Sequence, residues 1–250
     1  MKWYYFFIGP FVILMIWSIV TLTHLVSPIL LPSPWEISKS LVELFISTEH
    51  NILHDISLTC YRMLLSFVIS CLVGIPIGLL MGYNLKVFRT FEFVVDFFRS
   101  IPPIALFPLF ILLLGIGEPA KLGVPFYGCV LIIIINSIYG VINSPKLRRI
   151  IGQIYGFSKP KIFWKIVFPD SLPQVFAGMR TALSLALVLT IVVEMTIGSN
   201  NVLGKKIYDF HLLFDTPEMY ASILITGIIG YLLNKCFLII EKKIVHWTSI

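Results

Sequence analysis

The chain has 250 residues, of which 58% are hydrophobic and only 13% are charged, and its formal net charge is +6. A soluble domain typically carries about twice this share of charged residues. The apolar residues form runs of roughly twenty, the length that a helix needs to cross a bilayer. Few residues remain between these runs. The composition therefore excludes a separate soluble catalytic domain and predicts one integral membrane domain over residues 1–250.

Six apolar segments predict six transmembrane helices. The first opens after Lys2, and because no small-residue cleavage site follows it, we interpret it as a retained signal anchor. The third is short and contains Pro102, Pro103 and Pro108, whose unpaired backbone carbonyls are tolerated where they are buried in protein or border water. We therefore expect this span to border a polar pathway. The predicted spans are residues 4–26, 57–82, 101–116, 122–142, 175–197 and 219–240.

The connection after the first span, residues 27–56, differs from a simple loop. It opens with LPSPWE, where prolines impose an extended entry, and continues with apolar residues at helical spacing. The apolar positions alternate with charged ones such as Glu36, Lys39 and Glu43. This pattern predicts an amphipathic helix that lies on the membrane surface.

The distribution of Lys and Arg residues predicts the orientation of the chain. With the N-terminus in the cytoplasm, thirteen of the 19 basic residues fall in inside segments and four in outside segments. The remaining two, Arg62 and Arg180, lie within or at the edge of spans. We therefore expect a multi-pass membrane protein with both termini in the cytoplasm.

A basic, polar segment from residue 143 to residue 173 interrupts the apolar sequence. Its sequence, NSPKLRRIIGQIYGFSKPKIFWKIVFPDSLP, predicts one helix that begins near Pro145 with Ser or Asn as its cap. Gly156 can take the left-handed conformation that ends a helix. A second short helix then carries Phe163 and Trp164, and Pro169 and Pro173 are expected to end it before the fifth span.

Two interpretations of this segment stay open at this point. One is an interfacial helix pair whose lysines meet lipid headgroups while Phe163 and Trp164 enter the lipid. The other is a rigid docking element that inserts a short helix into a groove on a soluble protein.

Polar residues inside the spans are candidates for a translocation path, because they are costly in lipid and usually face the interior of a bundle. Each also has a structural interpretation. Glu194 could line a path or form an ion pair with Arg62 or Arg180, and Arg62 could attract an anion or extend to the membrane surface. Neighbouring amide and hydroxyl groups could line the path or link helices by hydrogen bonds. The candidates are Arg62, Asn136, Ser137 and Glu194.

Three further patterns carry less functional information. Gly74, Gly78 and Gly82 repeat every four residues, which permits either ordinary tight helix packing or a sliding or dimer contact. The four cysteines have no metal-type spacing and are interpreted as small apolar residues. His50 and His54 are four residues apart, but a solvated face explains them better than a metal site.

No catalytic set is recognisable in the sequence. It contains neither a G-x-x-x-x-G-K-[ST] loop nor a Ser/His/Asp set, and no span holds a pair of carboxylates. We therefore expect a protein that is not an enzyme and has no cofactor or metal of its own.

The spacing of Gly156, Ile166, Phe168 and Pro169 resembles the second half of the EAA loop of importer-type ABC permeases, where Gly is followed after nine residues by I-x-L-P. The first half departs from that pattern, because Ile150, Ile151 and Gly152 stand where E-A-A is expected, and Phe168 replaces Leu. The resemblance implies that residues 143–173 form a coupling loop that sits in a cleft of a cytoplasmic ATPase. The implied coupling residues are Gly152, Gly156, Phe157, Lys161, Phe163, Trp164, Ile166 and Pro169.

Other segments extend the resemblance, in order, over most of the chain. They are LPSPWEI at 31–37, RSIPPIALFPLFILLLGIGEPAK at 99–121, the stretch from Pro173 through Glu194 to Gly204, and the closing residues 241–247. Together they resemble permeases of the nitrate/sulfonate/taurine importer family. The resemblance implies an all-α membrane protein of about six helices with the type I ABC importer (MetI-like) permease fold.

The resemblance also implies the partners and the mechanism. The chain would act as a homodimer in the lipid of the bacterial cytoplasmic (inner) membrane, with a cytoplasmic ABC ATPase that binds ATP and Mg²⁺, an extracytoplasmic substrate-binding protein, and no nucleic acid. It would form the path for a small anionic or polar solute by alternating access. A vitamin precursor such as a thiamine pyrimidine is an alternative cargo, and a non-transport scaffold that recruits a soluble protein is an alternative function.

Overall fold

A computed structural model describes residues 5–47, 51–196 and 201–247. Tyr4, His50 and Ile197, which belong to features predicted above, lie outside these residues. Across the described ranges the regular structure is entirely helical, in agreement with the predicted all-α class. The α-helices are α1 (Tyr5–Leu22), α2 (Pro34–Ile46), α3 (Ile52–Tyr83), α4 (Leu85–Ser100), α5 (Phe107–Leu114), α6 (Glu118–Ile142), α7 (Lys146–Ile154), α8 (Lys159–Ile162), α9 (Phe168–Thr196), α10 (Leu203–Leu213) and α11 (Thr216–Ile244).

The described residues group into two compact units. One unit comprises the described parts of Met1–Thr59 and Glu194–Ile229, and the other comprises those of Cys60–Val193 and Gly230–Ile250. We call them the first unit and the second unit. The second unit holds the 143–173 segment and the helices that flank it.

Four helical stretches are long and apolar enough to cross a membrane: α3, α6, the run Lys159–Thr196 and α11. Each overlaps a predicted span, although the run Lys159–Thr196 begins sixteen positions before the predicted start at residue 175. A fifth apolar stretch consists of two pieces, Leu85–Ser100 and Pro103–Leu114, with an 85° bend between them. The first predicted span corresponds to α1, a shorter apolar helix whose described part includes Phe7–Leu22.

The predicted third span, residues 101–116, was wrong in its bounds and its shape. In the structure a sixteen-residue helix, α4, precedes this segment, and the helix is interrupted at Ile101 and Pro102. A 3₁₀ turn from Pro103 to Leu106 then leads into the eight-residue α5. Adjacent prolines lack the N–H groups that would continue α4, and this explains the position of the bend.

Helices α3 and α6 of the second unit are in direct backbone contact. A methyl group added to Gly78 would lie 2.5 Å from the Ile134 carbonyl oxygen, and one added to Gly82 would lie 2.7 Å from that of Ile138. Gly74 faces Ile133 in the same row. Within this chain the glycine repeat therefore serves close helix packing, as the first of its two interpretations predicted.

The amphipathic helix predicted after the first span is α2 of the first unit. It begins at Pro34 after a complete capping box, in which the Glu36 backbone N–H donates to Ser33 Oγ and the Ser33 backbone N–H donates to Glu36 Oε2. Ile37 and Leu44 are buried on one side, and Trp35 is exposed. Helix α10 lies in the connection formed by residues 201–215, and the sequence patterns above did not predict it.

Candidate coupling loop and translocation path

The first half of the 143–173 segment forms α7 and a turn at Gly156. Helix α7 begins at Lys146, and Pro145 stands at its N-cap without a side-chain cap. The expectation that Ser or Asn would cap it is wrong, because the Ser144 hydroxyl donates to Asp170 Oδ2 instead (3.2 Å). Gly156 has φ +71°, and the left-handed turn that the sequence predicts there is confirmed.

The second half of the segment joins the following span without interruption. Helix α8 begins at Lys159, Phe163–Val167 form a π-helical turn, and α9 follows from Phe168. The prediction that Pro169 and Pro173 would end this helix was wrong. The Phe168 N–H bonds to the carbonyl of Phe163, five residues back, and such a wide turn leaves room for Pro169, which has no N–H to offer.

The predicted coupling residues separate into an inward set and an outward set. Phe163 lies edge-on to the Tyr83 ring at 5.1 Å, and Gly152 is buried, so a methyl group there would come within 2.7 Å of Ile166 Cδ1. Lys161 Nζ lies 4.1 Å from the centre of the Phe157 ring. Trp164, by contrast, is 63% exposed. The inward residues join the segment to the second unit, and the outward residues form its free surface.

A carboxylate that the resemblance did not include holds the two halves of the segment together. Asp170 is the only acidic residue between positions 143 and 173. Its side chain is largely buried and accepts hydrogen bonds from Ser144 Oγ and the Arg148 guanidinium. The pair joins α7 to the start of α9. No local pattern predicts it, because its members are twenty-two residues apart in sequence.

A groove of about 430 Å³ runs beside this ion pair. Its walls combine both signs of charge with apolar groups, and one wall includes Trp247 from the C-terminal part of the chain. The lining residues are Arg148, Ile151, Lys165, Ile166, Pro169, Asp170 and Trp247.

The first path candidate, Arg62, is buried and belongs to an ionic cluster of the second unit. Its Nε and Nη2 atoms donate to the two carboxylate oxygens of Glu118, at 2.7 and 2.5 Å. Lys121 Nζ donates to the same carboxylate at 3.2 Å. This bidentate geometry is the strong form of an Arg–carboxylate pair. Glu118 opens α6 and was not among the predicted residues. Arg180, also of the second unit, lies 3.9 Å from Glu241.

The second candidate, Glu194, lies in the first unit and has no exposed surface. Its carboxylate accepts hydrogen bonds from Thr59 Oγ1 (2.8 Å) and from the Gly204 backbone N–H (3.3 Å). Thr59 Oγ1 in turn accepts the Leu203 N–H at 3.2 Å. The two side chains thus satisfy backbone N–H groups at the start of α10. Thr59 was missed because its polar role appears only when α3 and α10 are brought together.

The third and fourth candidates, Asn136 and Ser137, lie side by side on α6. Asn136 donates to the Ile132 carbonyl and accepts from Gln174 Nε2 of α9 at 3.0 Å. Its Cβ lies so near Gly178 that a methyl group there would be only 2.4 Å away. Ser137 is fully buried, and its hydroxyl has no hydrogen-bond partner among the residues that the structure describes. Asn136 therefore links α6 and α9, as the structural interpretation predicted.

Apolar helices long enough to span a bilayer, joined by a structured polar loop, define an integral-membrane protein. The sequence matches the model of the binding-protein-dependent transport system inner membrane component family over residues 74–249, and the chain belongs to this family. It is thus a multi-pass inner-membrane permease subunit of an ABC importer, and not an enzyme. Membership implies an ATPase and a substrate-binding protein as partners.

Individual relatives agree with this assignment. A putative aliphatic sulfonates transport permease of Bacillus subtilis is 27% identical over 96% of this chain and 86% of its own. The taurine transport system permease of Escherichia coli is 24% identical over 94% and 86%, respectively. A chain of the inward-facing methionine ABC transporter MetNI superposes with a TM-score of 0.70, at 19% identity, over 80% of this chain and 99% of its own. The superposition confirms the type I permease fold.

Proposed function

We propose that this permease imports a small anionic solute of the sulfonate or nitrate type. The observation that carries the proposal is the similarity, over most of both chains, to permeases named for aliphatic sulfonates and taurine. The net charge of +6 and the scarcity of acidic residues agree with an anionic cargo.

The proposal includes an orientation with both termini in the cytoplasm. Apart from the three basic residues of α4, ten basic residues then lie on the cytoplasmic side against four outside, in agreement with the positive-inside rule. The 143–173 segment, with six of these residues, becomes a cytoplasmic loop. Its lysines and exposed Trp164 suit contact with lipid headgroups at its margin.

The same segment is proposed to couple the permease to its ATPase, which would bind the ATP and Mg²⁺. Two features support this role: α7 exposes Leu147 and Ile154 next to basic residues, and Gly156 fixes the turn behind it. An exposed apolar face of this kind suits insertion into a partner's groove. Asp170 supplies a carboxylate that the first half of the loop lacks. Ion pairing with Arg148 makes the loop rigid enough to transmit a movement to α9.

The translocation path is proposed to form between two copies of the chain, with Arg62, Asn136, Ser137 and Glu194 as the polar groups at or near it. Glu194 would act through α10, whose first N–H groups it holds. A Glu194→Gln variant should then transport more slowly without a loss of membrane protein, because the amide is a weaker acceptor. Unchanged uptake would remove Glu194 from the path.

Uptake by the complete transporter tests the cargo. The chain, its ATPase and its binding protein are placed in proteoliposomes, and ATP-dependent uptake is measured for radiolabelled taurine, an alkanesulfonate, nitrate and a thiamine pyrimidine. Accumulation of one of the three anions, but not of the pyrimidine, is the expected result. Accumulation of the pyrimidine alone would replace the proposal with the vitamin-precursor alternative.

A further inference from the structure

Helix α4 of the second unit carries all of its charged residues on one side. These residues follow one another at intervals of three or four, which places them along one face of a helix. The other side carries aromatic and aliphatic residues, and no residue of α4 is buried in the chain. The charged residues are Lys86, Arg89, Glu92, Asp96 and Arg99, and we call them the α4 stripe.

The α4 stripe extends deep into the membrane. Helix α4 and the piece that follows its 85° bend form either a broken span or a re-entrant pair. The last turn of α4 contacts Tyr127, which lies fifteen positions before the end of the spanning helix α6, so α4 runs alongside that span. Lys86 and Arg99 are thirteen positions apart, which corresponds to about 20 Å along the helix axis. With Lys86 at the membrane surface, Arg99 lies well inside a hydrocarbon layer of about 30 Å. A charge at that depth is too costly to face lipid, so the stripe must face water or protein.

The position of Arg99 is fixed by contacts around the break. The Tyr127 hydroxyl of α6 donates to the Phe98 carbonyl at 2.5 Å, and the Ser100 hydroxyl donates to the Asp96 carbonyl. The Ile101 N–H also bonds to Phe98. The Tyr127 bond holds the last turn of α4 against α6, and the other two bonds close the end of α4 itself. The guanidinium of Arg99 is therefore presented at a helix break, the kind of place where transporters bind solutes near the midplane.

The ionic partner of Arg99 is suited to exchange. Arg99 Nη2 lies 3.3 Å from Asp96 Oδ1, and both side chains are 57% exposed. Within the described part of the chain this is the one ion pair that the stripe forms, and exposed pairs of this kind are weak. An oxyanion can displace Asp96, because guanidinium binds planar or tetrahedral oxyanions in a bidentate manner. Asp96 can then return and favour release.

We propose that Arg99 forms a transient oxyanion site on the translocation path, with Asp96 as the counter-ion that the solute displaces and Arg89 as the cation nearer the surface. The site rests on the proposed function and specifies how the path selects an anion. Weak binding is an advantage here, because conduction requires an ion to leave as readily as it enters.

Uptake by Arg99 variants tests the site in the complete transporter, with taurine, an alkanesulfonate and nitrate as probes. Arg99→Gln should lower ATP-dependent uptake on the order of tenfold or more, the loss expected for a charge-assisted hydrogen bond. Arg99→Lys should retain an intermediate rate, since it keeps the charge without the bidentate geometry. Lys86→Gln, on the same stripe but at the surface, is the matched control and should transport normally. Normal uptake by Arg99→Gln overturns the proposal.

A labelling experiment keeps the test independent of transport by Arg99→Gln. In an Asp96→Cys transporter, each labelling rate is divided by the same reagent's rate with a small free thiol. On that scale the anionic reagent 2-sulfonatoethyl methanethiosulfonate should react faster than its cationic trimethylammonium analogue, and added nitrate should slow it. The protein without this cysteine gives the background. Equal relative labelling rates of the Asp96→Cys thiol by the two reagents would overturn the site. If the unsubstituted transporter moves none of the three anions, the proposed cargo fails. If the unsubstituted transporter moves one of these anions and the Arg99→Gln transporter moves it at the same rate, only the Arg99 site fails.

Discussion

The α3–α6 contact and the 143–173 loop both depend on glycine, for opposite reasons. At Gly78 a methyl group would meet the Ile134 carbonyl oxygen and Ser137 Cβ, each at 2.5 Å, so glycine is required because the backbones touch. At Gly156 no atom would lie within 4 Å of a methyl group, but φ is +71°, so glycine is required by conformation. The α3–α6 region is a tight packing contact, whereas the Gly156 region is an exposed turn whose backbone conformation matters.

This difference separates what holds the permease together from what we propose connects it to its ATPase. A substitution at the α3–α6 contact should reduce the amount of folded permease in the membrane. A substitution at the loop turn should reduce the coupling of ATP hydrolysis to uptake while the permease still assembles. Substitutions in the two regions can therefore show whether the separation is real.

The largest effect is expected for Gly78→Ala. The added methyl group cannot be accommodated without parting α3 from α6, because one of its neighbours is a backbone oxygen. We expect a loss of about 2–3 kcal/mol in the free energy of unfolding, and less protein in the membrane. Thermal unfolding in detergent measures it. Gly227→Ala in α11, where no atom lies within 4 Å of the added group, is the matched control and should be neutral or stabilising. Equal stability of the two variants would contradict the contact.

The next effect is expected for Gly156→Val. A β-branched residue at positive φ costs about 1–2 kcal/mol and should shift the turn between α7 and α8. ATP hydrolysis by the complete transporter should continue while solute uptake falls. Gly115→Val is the matched control, since Gly115 has φ +79° and equally open surroundings but lies between α5 and α6. Its ψ of 171° lies in a region that only glycine readily adopts, so the substitution should cost at least as much stability as Gly156→Val, but without uncoupling. Normal uptake by Gly156→Val would contradict the coupling role.

The sequence predicted features that depend on local chemistry. The turn at Gly156, the amphipathic helix α2 and the apolar stretches could all be predicted because spacing and backbone preference decide them. The bend after α4 could not be located, since prolines announce a break but not which side remains helical. The π-turn before Pro169 was also missed, because its wide bonding leaves no spacing pattern.

The sequence indicated individual polar residues of the candidate site, but not the residues that they contact. Arg62 and Glu194 are buried polar groups, as their positions inside the spans indicated, but their partners Glu118 and Thr59 were not predicted. Those partners lie far away in sequence and become neighbours only through helix packing. The basic residues of the α4 stripe were assigned to a cytoplasmic segment, because their depth in the membrane depends on where α4 begins.

A smaller effect is expected for the Arg148–Asp170 pair. Asp170 is largely buried but Arg148 is mostly exposed, so solvent screens the attraction. A double-mutant cycle with Arg148→Gln and Asp170→Asn should give an interaction of about 1 kcal/mol in thermal unfolding. Lys146→Gln, another exposed cation on α7, should show no interaction with Asp170→Asn. Additive effects of Arg148→Gln and Asp170→Asn would show that the pair does not hold the loop.

The smallest effect is expected at the Ser33–Glu36 capping box, which lies outside both regions. The backbone N–H of Ser33, and then its hydroxyl, hold the pKa of the Glu36 carboxyl below its usual value of 4.5. Because the folded pKa is depressed, the contribution to stability is complete above the unfolded pKa and is lost as pH falls through the folded value. Glu36 is exposed, so the change should be a few tenths of a kcal/mol, on the order of a surface interaction. Glu36→Gln keeps the box but cannot titrate. If the melting temperatures of this variant and the unsubstituted protein fall in parallel from pH 7 to about pH 3, Glu36 contributes nothing to the acid sensitivity of α2.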